Sequence, residues 1–153
     1  LWNFKKSKFK LKKDMFFKNN KNQDKNDDLI KVAALLIHAA KIDENFSTEE
    51  EDIIEEALLN IGASKKDIKE IIHEGKIIEE NANQILEFTK EVKNMEEINK
   101  IKIIETLWRI IYSNKHADIY ETNLMRRLAG LLYIDNKTMG DIKEKIRNKK
   151  DSL

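Results

Sequence analysis

After residue 26, isoleucines and leucines recur at spacings of three and four, and no stretch keeps a sustained period-2 alternation. That periodicity belongs to helices burying one face, so the chain is expected to be all-α. Proline is absent and only four glycines occur, which leaves little to interrupt a helix. The spacing predicts seven helices, over about 27–41, 48–61, 65–80, 83–93, 96–113, 119–133 and 138–148. Asn26 is the expected N-cap of the first, with Asp27 and Asp28 in its first turn. Gly62 is the expected left-handed C-cap of the second, and Gly75 a weak point in the third. The first and fifth helices, "LIKVAALLIHAA" and "IIETLWRII", are apolar nearly all round, which predicts two buried central helices.

Shifting the chain by 71 residues lays "ALLIHAAKIDENFSTEEEDII" over "TLWRIIYSNKHADIYETNLM" with hydrophobic phase and turns in agreement. Leu36 then meets Leu107, Asp43 meets Asn114, and Glu50 meets Glu121. After a slip of two residues "LLNI" at 58–61 meets "LLYI" at 131–134. The expectation is two pseudo-repeated halves, each a buried helix, a polar turn and a second helix, with the two turns near one another.

Charge divides the chain. Residues 1–26 hold nine lysines against two aspartates, a net of +7, while the remainder holds 20 basic and 26 acidic residues, a net of −6. Residues 1–26 are therefore expected to be a basic, flexible tail and 27–150 a single domain. The tail interleaves its lysines with Trp2, Phe4, Phe9, Phe16 and Phe17, a mixture suited to an anionic membrane surface. Nucleic acid is disfavoured because the acidic body repels phosphates. No cysteine occurs, which excludes disulfides and thiolate chemistry. No apolar run approaches the roughly 18–20 residues of a membrane span, and a cytoplasmic location, peripheral to the inner face of the membrane at most, is expected.

Chemistry concentrates in "KIDENFSTEEED", residues 41–52. An EF-hand reading fails because Thr48 and Ile54 stand where that loop needs Gly and a bidentate Glu. Ser47-x-x-Glu50 is a capping box, and Asp118-x-x-Glu121 is the same device in the second half. From Asp43 to Ser64 there are eight carboxylates and no Lys or Arg, more than capping requires. Arg109, on a helix expected to be buried, needs a partner, and Glu105 one turn earlier is the expected structural ion-pair mate. His38 reads as a satisfied core or rim histidine, not a ligand. No H-x-x-x-H or H-E-x-x-H element, Gly-rich phosphate loop or Ser–His–Asp order occurs, so no catalytic residue or organic cofactor is assigned.

The stretches "LLIHAAKIDENFSTEEEDIIEEAL", "ILEFTKEV" and "ETLWRIIYSNKHADIYETNLMRRLAGLLYI" resemble the TerB-like (tellurite-resistance TerB) family of small helical bacterial proteins. "LWR", "YE" and "RRLA" stand in the family's order over 23 residues. The resemblance implies about seven helices in two related halves, a divalent-cation or acidic interaction surface, and roles in stress response and membrane-linked complexes. Carried over by position, Asp43 and Glu50 match the first-half acids and Glu121 the second-half glutamate. Asn114, Lys115 and His116 depart from the pattern, as does Glu44, so a cation would lean on Asp43 and Glu50. The expected metal set is Asp43, Glu50, Asn114 and Glu121, holding Ca2+ or Mg2+ weakly.

These signs favour a non-enzymatic interaction module whose acidic turn docks another protein or weakly binds a divalent cation. The alternatives are a metal-dependent hydrolytic or accessory enzyme using the turn carboxylates, and a membrane-surface adaptor acting through residues 1–26.

Overall fold

The computed structural model describes residues 25–41, 46–113 and 119–151. Among the described residues all regular structure is helical: α1 over 25–40, α2 Thr48–Ile61, α3 Ile68–Asn81, α4 Leu86–Lys93, α5 Glu97–Ser113, α6 Ile119–Leu131 and α7 Asn136–Asp151. The expected seven helices are all present. The first one begins earlier than expected: Lys25 is already helical, so Asn26 lies inside α1 and does not cap it.

Two helices form the centre. Val32 to Ile37, Ala39 and Ala40 of α1 are buried, as are Ile103, Ile104, Leu107, Trp108, Ile110 and Ile111 of α5. Burial on more than one face is what their all-round apolar sequences require. Each fully buried Leu or Ile contributes roughly 1.5–3 kcal/mol by removing apolar surface from water. α2 and α7 both pack on α5. α3 lies against α1 at Gly75, where an added Cβ would stand 2.9 Å from Ala33 Cβ and 3.2 Å from the Ala34 amide nitrogen. The expected weak point is thus a contact point, at which the absence of a side chain lets two helices approach.

The ends of the outer helices are closed by local hydrogen bonds. At the end of α2, the Gly62 amide donates to Leu59 O and the Ala63 amide to Leu58 O, the Schellman arrangement, with Gly62 at φ 123°. At the end of α6, the Tyr133 amide donates to Gly130 O and the Ile134 amide to Ala129 O, with Tyr133 at φ 56°. Just beyond the first corner, the Asp67 amide donates to Ser64 Oγ at 3.2 Å, and beyond the second the Thr138 amide donates to Asp135 Oδ1 at 2.6 Å. Every donor and acceptor in the second set stands 71 positions after its counterpart. The slip of two residues that aligns "LLNI" with "LLYI" has no counterpart in these bonds.

α5 reaches both corners. Lys102 Nζ donates to Asn60 O in α2 at 3.3 Å, and Lys100 Nζ donates to Leu132 O after α6 at 3.3 Å. Lysines donating to the unpaired terminal carbonyls of a helix also meet the negative end of its dipole.

Candidate functional site

Ser47 sits just before α2 in extended conformation (φ −83°, ψ 160°), and its Oγ accepts from the Glu50 amide at 3.1 Å. The same hydroxyl donates to Glu50 Oε1 at 3.0 Å. The hydroxyl is thereby tied to both the amide and the carboxylate of Glu50, which is buried. Glu49, Glu50 and Glu51 all lie in the first turn, where carboxylates meet the positive end of the helix dipole.

The carboxylates of α2 then divide. Glu51 pairs with Lys76 of α3 at 3.1 Å and Glu56 with Arg109 of α5 at 3.4 Å. No Lys or Arg among the described residues lies within 4.0 Å of Glu49, Asp52 or Glu55. Beside this face, a groove of about 510 Å³ runs between α2, α5 and α7, with Glu49, Ile53, Arg109, Tyr112, Ser113 and Ile146 among its walls. The start of α2 and the end of α5, from which the two polar turns lead, therefore share one groove.

Of the expected metal set, Asp43 and Asn114 lie outside the described residues, as does the capping residue Asp118, and the Glu121 side chain is likewise undescribed. Only Glu50 can be placed. Among the described residues no three His, Cys, Asp or Glu side chains gather in a way that could hold a metal ion. No helix among them is long and apolar enough to cross a membrane.

The expected Arg109–Glu105 pair is not formed. Arg109 turns to Glu56 of α2, and Glu105 pairs with Lys145 of α7 at 3.1 Å. The reason is packing: α5 is flanked by α2 and α7, whose charged residues compete with any partner one turn along the same helix. Nor is Arg109 buried, for its side chain is 39% exposed, and a pair that open to water contributes at most about 1 kcal/mol. His38 behaves as a rim histidine: its Nδ1 lies 3.3 Å from Glu79 Oε1, and Lys41 holds the other oxygen of that carboxylate at 3.0 Å. Arg126 and Arg127 are exposed, with no ion pair among the described residues.

The sequence reading assigned no role to Lys100 or Lys102. The available signal was their position, on alternate residues in the otherwise apolar "INKIKII" of a central helix. It also missed a second cleft, of about 160 Å³, over Trp108 between α6 and α7.

An all-helical domain of seven helices among the described residues is the fold the TerB resemblance implies. The family model described as "Tellurite resistance protein TerB" matches residues 29–144. The match takes in α2 to α6 whole, all of α1 beyond its first turn and the first half of α7, and the chain belongs to that family. No curated protein and no solved structure matches it.

Proposed function

We propose that this TerB-family chain is a non-enzymatic interaction module that offers the acidic face of α2 to a basic segment of a partner protein. The observation that carries this reading is the set of carboxylates on α2, Glu49, Asp52 and Glu55, that no Lys or Arg of the described chain neutralises. Of these, Glu49 lines a groove whose wall also includes Ile53, Tyr112 and Ile146, so charge can steer a partner and apolar surface can hold it. The family description, tellurite resistance, is carried to this chain as a stress-response role. The test is amide NMR of the full chain titrated with a lysine-rich helical peptide. Shifts confined to α2 and the groove, and lost in a Glu49→Gln, Asp52→Asn double variant, are expected. Shifts elsewhere, or shifts indifferent to the double variant, overturn the reading.

A weak Ca2+ or Mg2+ site at Asp43, Glu50, Asn114 and Glu121 is the second reading, supported by an all-oxygen donor set. The Ser47 hydroxyl on Glu50 Oε1 works against it, because one oxygen of the placed ligand is already engaged. Titration with either cation to millimolar levels tests it, and motionless amides at 46–50 and 111–121 dispose of it. An attachment to anionic membrane through residues 1–26 predicts that vesicles pellet the full chain and not the chain lacking that segment.

A further inference from the structure

The chain enters α1 beside the far end of α2. A Cβ added at Gly62, just past that end, would stand 3.3 Å from Lys25 Nζ and 3.4 Å from Lys25 Cε. Residues 1–24 therefore set out from the foot of α2, and they carry eight lysines against Asp14 and Asp24, a net of +6. Along α2, Glu49, Asp52 and Glu55 recur every third residue on adjoining faces of the helix. No Lys or Arg among the described residues lies within 4.0 Å of them.

Glu49 leads into the groove of about 510 Å³, where half-buried Ile53 and Tyr112 and buried Ile146 supply apolar wall. The cations of the groove do not reverse its sign. Glu49, Glu56 and Glu105 face Arg109 and Lys149, and Arg109 is taken by Glu56. Distance decides which part of residues 1–24 can lie there. The 14 residues of α2 span about 21 Å at roughly 1.5 Å each. Extended chain covers that span in about six or seven residues, at roughly 3.3 Å each. Running back from Lys25, Lys21 and Lys18 come level with Glu55, Asp52 and Glu49, and Phe16 and Phe17 with the groove.

We propose that residues 1–24 dock in this groove and along the acidic face of α2 of their own chain, with Phe16 and Phe17 against Ile53, Tyr112 and Ile146. The segment then competes with a partner's basic segment, an inference that rests on the reading of α2 as a docking face. Each exposed ion pair is weak alone, so the tether matters. An effective concentration on the order of 1 mM lets contacts of only millimolar strength hold the segment for a large share of the time.

No cysteine occurs in the chain, so the Ser7→Cys variant carries a nitroxide at a single place. Position 7 lies 18 residues before Lys25, and an undocked segment of that length wanders roughly 20–25 Å from it in all open directions. Docking instead concentrates the broadening of amides at 49–56 and 112–113. That broadening should fall at least about threefold in 1 M NaCl, where exposed charges are screened beyond about 3 Å. The Glu49→Gln, Asp52→Asn double variant, altered at two exposed positions, should lose it as well. Changing Lys12, Lys13, Lys18 and Lys21 to Gln should remove the broadening and tighten binding of a lysine-rich helical peptide about threefold, the gain when a segment that fills the face two-thirds of the time is released. Broadening spread evenly around the start of α1, or indifferent to salt, overturns the proposal. So does broadening that passes only between chains in a mixture of nitroxide-bearing and isotope-labelled copies, because a second copy then supplies the segment. A peptide that binds the native chain and the lysine variant equally leaves α2 a docking face and removes residues 1–24 from it. A peptide that binds neither removes both readings.

Discussion

At the end of α2 the left-handed position falls to Gly62, at φ 123°, whereas at the end of α6 it falls to Tyr133, at φ 56°. The hydrogen bonds that close the two corners are the same, yet glycine adopts such a conformation freely and tyrosine does so at a cost. Beyond each corner the capping oxygen is again different, a serine hydroxyl at Ser64 and a carboxylate at Asp135. Deeper in, position 75 of α3 is a glycine pressed on α1, while 71 residues later α7 carries Ile146, buried, in a helix that packs on α5. One geometry is thus reached by two chemistries, and the second is the more sensitive to strain and to pH.

The packing difference should give the largest effect. Gly75→Ile puts the side chain of the second corner's helix into the first. Its Cβ alone would stand 2.9 Å from Ala33 Cβ, and the Ala34 backbone nearby cannot yield as a flexible side chain could. Overpacking of this kind costs roughly 3 kcal/mol, less about 0.5 for the better helix propensity of isoleucine than of glycine. Urea denaturation measures it, and a midpoint unchanged from the native chain would mean that α1 and α3 can separate freely.

The lysines from α5 rank next. Lys100 is 9% exposed and gives its ammonium to Leu132 O, whereas Lys102 reaches Asn60 O in an exposed setting. Lys100→Met should cost roughly 1.5 kcal/mol, because a partly buried carbonyl loses a charged donor. Lys102→Met should cost under about 0.5 kcal/mol, since water replaces its donor. Equal losses in the two variants would show that burial does not distinguish the corners.

How far these features could be read in advance depended on how local their causes are. α2 was found at both ends, Thr48 and Ile61, because Ser47 and Gly62 are each a recognisable cap within the helix's own sequence. α6 ends at Leu131, two residues before the expected 133, because its left-handed residue is a tyrosine and gives no such signal. α7 begins at Asn136 instead of 138 because Asp135 caps it, which a reading of hydrophobic spacing does not weigh. The buried stretches of α1 and α5 were legible from apolar runs alone. Contacts set by the packing of separate helices were not: Arg109 with Glu56, Lys100 with Leu132 O, and Lys143 over the Trp108 ring. Of the acidic turn, the Ser47–Glu50 cap was legible, while Asp43, Asn114 and Asp118 lie outside the described residues.

Exchanging the residues at the two left-handed positions should give opposite signs. Gly62→Ala forces a Cβ into φ 123° and should cost about 1 kcal/mol, while Tyr133→Gly should relieve about 1 kcal/mol of the strain at φ 56°. The gain is reduced because Lys93 Nζ lies 4.7 Å from the Tyr133 ring centre, a contact that contributes roughly 0.5 kcal/mol at an exposed site. Thermal melts of both variants check the pair, and a loss in each would mean that the tyrosine ring matters more than its backbone.

The smallest effect separates the corners by pH. The Thr138 hydroxyl and amide both bond to the Asp135 carboxylate, and with Lys137 nearby they hold its carboxyl below the ordinary value of 3.8 against a smaller opposing effect of desolvation. A carboxyl whose folded value is depressed stabilises the fold above its unfolded value and loses that contribution as pH falls through the folded value. The α6–α7 corner should therefore hold steady from neutral pH down to about 4 and weaken only below it. The Ser64 hydroxyl does not titrate in that range, so the α2–α3 corner has no counterpart to this dependence. Asp135→Ser writes the first corner's chemistry into the second. The stability difference between the native chain and this variant should then shrink as pH drops below about 4, where the native carboxylate takes up its proton. Carbonyl-detected NMR of Asp135 gives the titration directly. A midpoint at or above 3.8 would show that the Thr138 bonds do not favour the charged carboxylate, and the two corners would then differ in strain alone.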